Sequence, residues 1–79
     1  MANDEFKHTA DKVAERLMAL RLEHKLSHEK LGKKAGVHWT TIGMIERGKR
    51  VPSIVTAMKI CHALDIRLAD LLEDIEPQP

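Results

Sequence analysis

Between Thr9 and His24 the apolar residues Ala10, Val13, Leu17 and Leu20 recur at steps of three and four, the spacing of one face of an α-helix. Thr9 suits the N-cap and Asp11 the first turn, where the helix dipole favours an acid, so a first helix is expected over Thr9–His24. Leu26 then precedes Ser27, a second N-cap residue. In HEKLGKKAG, Leu31 and Ala35 fall at i and i+4 before Gly36, which suits a left-handed helix end. A short second helix is predicted there, stopping abruptly.

After Val37, the stretch HWTTIGMIERG places Ile42 and Ile45 one turn apart and ends at Gly48, which predicts a third helix from near His38. Lys49 to Pro52 reads as a loop, and Ser53 can cap a fourth helix running to about Leu64, with Ile54, Ala57, Met58, Cys61 and Leu64 on its buried stripe. Beyond Asp65 and Ile66, RLADLLEDI offers Leu68, Leu71, Leu72 and Ile75 for a fifth helix of about two turns, which the terminal PQP cannot continue. No stretch alternates with the period of a strand. The pattern therefore predicts a flexible arm over 1–8, one helical domain over 9–76 and a disordered tail over 77–79.

Composition agrees with an all-α fold. The chain has no Tyr, one Phe and one Trp, while its middle is filled by good helix formers. Seventy-nine residues allow one small core with a thin margin of stability. Cys61 stands alone, so no internal disulfide is expected, and no apolar run reaches the roughly 18 to 20 residues needed to span a bilayer. MANDEFKH lacks the basic-then-apolar form of a signal peptide. These features lead to the expectation of a reducing, cytoplasmic location without membrane association.

Net charge is only +1, but it is unevenly spread. Residues 25–50 hold Lys25, Lys30, Lys33, Lys34, Arg47, Lys49 and Arg50 against Glu29 and Glu46, a balance of +5. Residues 51–79 carry −3 and residues 1–24 carry −1.

Two short helices joined through a central Gly make a compact corner whose second member can project from a small domain. The residues that build this corner occur in a fixed order: Leu20-Arg21, Leu26-Ser27, Glu29-x-Leu31, Lys34-Ala35-Gly36-Val37, Thr41-Ile42 and Ile45-Glu46-Arg47-Gly48-Lys49. Pro52-Ser53, Lys59-Ile60, Ala63-Leu64 and Leu71-Leu72 follow. From about Leu17 to Leu72 the chain resembles the Cro/cI-like (XRE-type) helix-turn-helix family. The resemblance implies a compact five-helix repressor-type domain, with the helix-turn-helix formed by helices two and three, that binds operator DNA as a dimer. It places His38, Trp39, Thr40, Gly43 and Met44 where the family reads bases. His28, Thr41, Arg47, Lys49 and Arg50 fall where it meets phosphates, and Arg21 with Glu46 where several relatives form an ion pair.

Electrostatics supports the phosphate set without the family. Lys33, Lys34, Arg47, Lys49 and Arg50 lie near the ends of helices two and three, and the free amides of a helix N-terminus also attract phosphate. The alternative is a solvated basic face. The base-reading set departs from the family's usual Arg, Gln, Ser and Asn. Trp39, Gly43 and Met44 cannot make bidentate hydrogen bonds to a base edge. Thr40 and His38 can each form hydrogen bonds, Trp39 and Met44 can pack on thymine methyl groups, and DNA shape supplies the rest, so a weak or T-rich preference is expected. Trp39 has two further readings, a core residue beside Val37 and Ile42 or part of a protein-docking patch.

Other chemistry is poorly supported. His24 and His28 have the i, i+4 spacing of zinc ligands, but the break at Leu26-Ser27 separates them and no further ligand is near, so no metal or cofactor is expected. Cys61 reads as a small buried hydrophobe. No catalytic spacing appears and the domain is too small to enclose a substrate pocket, so an enzyme is not expected. Leu68, Leu71, Leu72 and Ile75 either complete the core or, with Leu22 or Met18, form a twofold dimer interface. The expected function is a sequence-selective regulator, a repressor dimer on double-stranded DNA with no small-molecule effector, controlled by its own concentration. An antitoxin or protein-docking module using Trp39, Met44 and the last helix is the alternative, as is a restriction-modification controller.

Overall fold

Phe6, Ala10 and Val13 carry the stripe of the first helix back past Thr9. In the computed structural model, which describes residues 4–75, that helix begins at Asp4. The flexible arm expected over 1–8 is therefore helical from Asp4 onward. Nothing between 4 and 9 breaks a helix, and a further turn of apolar spacing outweighs the capping preference of Thr9. Residues 1–3 of the arm and the tail over 77–79 lie outside the described residues.

The described residues form α1 (Asp4–Glu23), α2 (His28–Ala35), α3 (Trp39–Glu46), α4 (Ile54–Ala63) and α5 (Leu68–Leu72), with no strand among them. The N-caps read from the sequence hold at α2 and α4: Ser27 Oγ accepts from the Lys30 N–H at 3.0 Å and Ser53 Oγ from the Thr56 N–H at 3.1 Å.

Four of the helices end in the same way. The N–H of Leu26, Val37, Lys49 and Ile66 donates back to the carbonyl of Arg21, Gly32, Met44 and Cys61 at 3.1, 2.9, 2.9 and 3.0 Å. This closure turns on a left-handed residue just before the donor: Lys25 (φ 56°), Gly36 (72°), Gly48 (72°) and Asp65 (57°). α5 is closed from outside, because Arg16 of α1 donates to the carbonyls of Leu71 and Glu73. α5 is shorter than the two turns expected, and Ile75 lies in the turn that follows it.

Leu17, Leu31, Ile42, Ile45, Ile60, Ala63 and Leu64 meet in one core, flanked by Leu20, Leu26, Ala35, Val37 and Ile66. α2 packs on α3 and α4, α1 on α3 and α5, and α4 on α5. Each fully buried Leu or Ile contributes on the order of 1.5–3 kcal/mol, so the α2–α3 corner is braced from beneath by Leu31, Ile42 and Ile45. On α4 the buried stripe differs from the one expected. Ile54 and Met58 are exposed (71% and 54%), while Ile60 and Ala63 join Ala57, Cys61 and Leu64 inside. The segment IVTAMKICHA is apolar on two adjoining faces, so periodicity alone admits both, and packing against α2 and α5 selects one. No helix among the described residues is long and apolar enough to cross a membrane.

Candidate nucleic-acid interface

The corner between α2 and α3 depends on two glycines. Gly36 supplies the left-handed turn after α2. Gly32, inside α2, allows a close approach: a Cβ there would lie 2.5 Å from the Val37 carbonyl oxygen and 3.3 Å from the Trp39 nitrogen. The start of α3 is thus pressed onto the backbone of α2. In the sequence Gly32 is marked only as a small residue one helical turn before the Gly36 stop.

His38 caps α3 with its ring. Nδ1 accepts from the Thr40 N–H at 3.2 Å and lies 2.7 Å from Thr40 Oγ1, which engages the Thr40 hydroxyl within the protein. The indole of Trp39 stacks loosely on the same imidazole, with ring centroids 6.0 Å apart. Trp39 is 47% exposed and belongs to no core cluster. With Lys30 and Lys33 it borders a shallow open groove between α2 and α3.

Further along α3, Ile42, Ile45 and Glu46 face inward. Thr40 is exposed, while Thr41 and Met44 are half-buried. Gly43 is covered by the side chain of Arg47, whose Nη1 lies 3.0 Å from where a Gly43 Cβ would be.

Glu46 is the most buried carboxylate of the interface and has two partners. Arg21 donates through Nε to Oε2 at 2.7 Å and through Nη2 to Oε1 at 3.0 Å, a bidentate pair in the position the resemblance implied. Arg21 Nη1 also donates to the Leu26 carbonyl at 2.8 Å, tying the pair to the α1–α2 turn. His28 Nε2 lies 3.1 Å from Oε1 of the same glutamate, and the ring is half-buried. His28 therefore leans toward Glu46, and any contact with a phosphate is left to its Nδ1. Its partner is eighteen residues away in sequence, and no local pattern signals such a pairing.

This arrangement changes the charge of the surface. Arg21, from outside residues 25–50, neutralises Glu46, so Glu29 is the one exposed carboxylate of that stretch. Lys25, Lys30, Lys33, Lys34, Arg47, Lys49 and Arg50 are all exposed, and none has an ion-pair partner among the described residues. The surface of residues 25–50 is more positive than a count along the chain suggests.

Elsewhere, Leu71 is buried within the monomer. Leu68 and Leu72 are half-buried along an apolar groove of about 490 Å³ that Phe6, Val51 and Ile54 also line. Met18 and Leu22 are exposed. Cys61 is buried, and desolvation, with a smaller push from the Asp70 charge, raises its pKa, so it stays a thiol at neutral pH. His24 Nδ1 lies 2.8 Å from the Leu20 carbonyl, and the described residues hold no group of three metal-ligating side chains.

A model of the helix-turn-helix family HTH_3 matches residues 17–71. The chain belongs to this family. Solved proteins superpose on it. The restriction-modification controller protein C.AhdI from Aeromonas hydrophila is 37% identical and superposes with a TM-score of 0.76, over 78% of this chain and 94% of the controller. An HTH_3 transcriptional regulator from Vibrio cholerae gives a TM-score of 0.80 at 28% identity over 87% of this chain, which spans 39% of that longer protein. The Bacillus subtilis HTH-type transcriptional regulator YgzD is 42% identical over 52 residues, 66% of this chain and 79% of YgzD. The all-α fold and the XRE-type helix-turn-helix expected from the sequence hold, and the family is one of DNA-binding transcriptional regulators.

Proposed function

We propose that this HTH_3 protein is a sequence-selective repressor that occupies a pseudo-palindromic operator as a homodimer, with α3 in the major groove. The observation that carries the reading is the set of seven exposed cations without an ion-pair partner among the described residues in and beside α2 and α3, in a stretch whose buried carboxylate is neutralised from within. Lys34, Arg47, Lys49 and Arg50 are assigned to phosphates, with Thr41 and His28 Nδ1 beside them. His38, Trp39, Thr40 and Met44 face the bases. The apolar groove bordered by Leu68 and Leu72, together with Ile75, supports pairing of two copies. Twofold pairing would set half-sites about 34–36 Å apart.

The test is an anisotropy titration of mixed duplexes at 50 and 200 mM salt. If a dimer neutralises about 6 to 10 phosphates, affinity falls about 10³- to 10⁵-fold between those concentrations. No binding at 50 mM salt overturns the reading in favour of a protein-docking module. Arg47→Glu with Lys49→Glu should leave helicity intact and abolish binding, and unchanged affinity would place DNA on another face. Similarity to C.AhdI across almost the whole of that controller favours a second reading, a restriction-modification controller, which the genes beside this one would identify.

A further inference from the structure

We propose that Arg47, the C-cap residue of α3, also reads a base, selecting a guanine in each half-site, and that Gly43 shapes this specificity without touching DNA. The inference rests on the reading of α3 as the major-groove helix and departs from the assignment of Arg47 to a phosphate. Thr40, Gly43, Met44 and Arg47 fall at i, i+3, i+4 and i+7, on the side of α3 opposite Ile42 and Ile45, which are buried. On that outward side the hydroxyl of Thr40 is already engaged by His38, and Gly43 and Met44 offer no donor. Arg47 is the remaining group with a planar fork.

Arg47 is also placed to use it. Its guanidinium lies back along α3 over Gly43, with Nη1, Cζ and Nη2 at 3.0, 3.8 and 3.9 Å from the position a Cβ would take. It forms no ion pair among the described residues, so its donors are unspent. Two parallel N–H groups in a planar fork match O6 and N7 of guanine, and no residue of α3 itself carries such a fork. Lys49 and Arg50 lie past Gly48, in the loop that leads to α4, where they suit phosphates. A side chain at 43 would press on the guanidinium, whose nearest nitrogen lies 3.0 Å from a Cβ there and must give slightly to admit a methyl group.

Selection of bound sequences from a random duplex pool, followed by titrations of the selected and an unrelated duplex, tests this with the full chain. The wild type should fix one G·C pair in each half-site. Arg47→Ala should lose the preference at that pair alone. It should bind the selected duplex about 5- to 150-fold more weakly, the range for one bidentate base contact, with little change on the unrelated duplex. Lys49→Ala should instead weaken both duplexes alike and lower the salt slope by about one. Replacing the selected guanine by 7-deazaguanine should weaken the wild type and leave Arg47→Ala unaffected. Gly43→Ala, which keeps α3 helical, should shift or blur the same pair. If Arg47→Ala keeps the wild-type consensus and weakens both duplexes equally, or if Gly43→Ala leaves the consensus unchanged, the proposal is wrong while DNA binding stands. A wild type that binds no duplex overturns both.

Discussion

Arg21 and Glu46, twenty-five residues apart, face each other through two hydrogen bonds of 2.7 and 3.0 Å, with side-chain exposures of 10% and 1%. The pair joins the last full turn of α1 to the last residue of α3. Its position makes it a brace for the angle at which α3 leaves the body of the protein.

Removing one partner strands the other. Glu46→Ala leaves the Arg21 guanidinium with the Leu26 carbonyl alone, and breaking a buried pair in this way costs about 3–5 kcal/mol. Arg21→Met with Glu46→Leu should recover most of that loss, since an apolar pair of similar volume avoids desolvating charge. A double-mutant cycle by urea denaturation measures the coupling. If the pair acts as a brace, the apolar double variant should be stable yet bind DNA more weakly than wild type. Equal affinity would reduce the pair to packing.

The left-handed residues at the helix ends predict an opposite effect, a gain in stability. A left-handed conformation costs a side-chain-bearing residue about 1–2 kcal/mol, while glycine there loses about 0.5–1 kcal/mol more backbone entropy on folding. Lys25→Gly should therefore stabilise the fold by about 0.5–1 kcal/mol. Asp65→Gly should gain less, because aspartate tolerates this region better than lysine does. Urea midpoints at constant m-value check both. A loss of stability at Lys25 would mean that its side chain makes contacts worth more than the strain.

These same ends show what was legible in the sequence. Gly36 and Gly48 marked two of the four closures, whereas Lys25 and Asp65 adopt the same geometry without the residue type that signals it. Four of five helix starts were visible because a cap or a boundary residue preceded them. The start of α1 is not legible, because Thr9 looks like a cap even inside a helix. The cationic surface could be read from a charge count, but its strength could not, since that depends on Arg21 reaching Glu46 through space. The contact between His28 and Glu46 and the position of Arg47 over Gly43 both join side chains by geometry that periodicity does not encode.

Trp39 allows the core and surface readings to be separated by one substitution. With about half its surface exposed and no place in the core, Trp39→Ala should cost less than about 1 kcal/mol, against about 2–5 kcal/mol for Ile42→Ala one turn further along. Its effect should appear in DNA selection, as a weakened preference for T-rich positions. Thermal melts and selection on the same variant provide the check. A melt as damaged as that of Ile42→Ala would show the indole to be structural.

Cys61 yields a prediction in the alkaline range. Its side chain is buried, and desolvation, followed by the Asp70 charge, raises its pKa above the ordinary thiol value. The folded state therefore holds the thiol proton to higher pH than the unfolded state does. The stability linked to Cys61 is whole below the ordinary thiol pKa and is lost as pH rises through and above it toward the folded value. The chain has no tyrosine, so no phenol titrates alongside the thiol. Urea denaturation at pH 7 and pH 9.5 should show a loss of stability in the wild type that is smaller in Cys61→Ala. Alkylation of native Cys61 by iodoacetamide at pH 8 should proceed only as fast as the protein opens. Rapid labelling of the native state would mean that α4 separates from α5 far more readily than its packing implies.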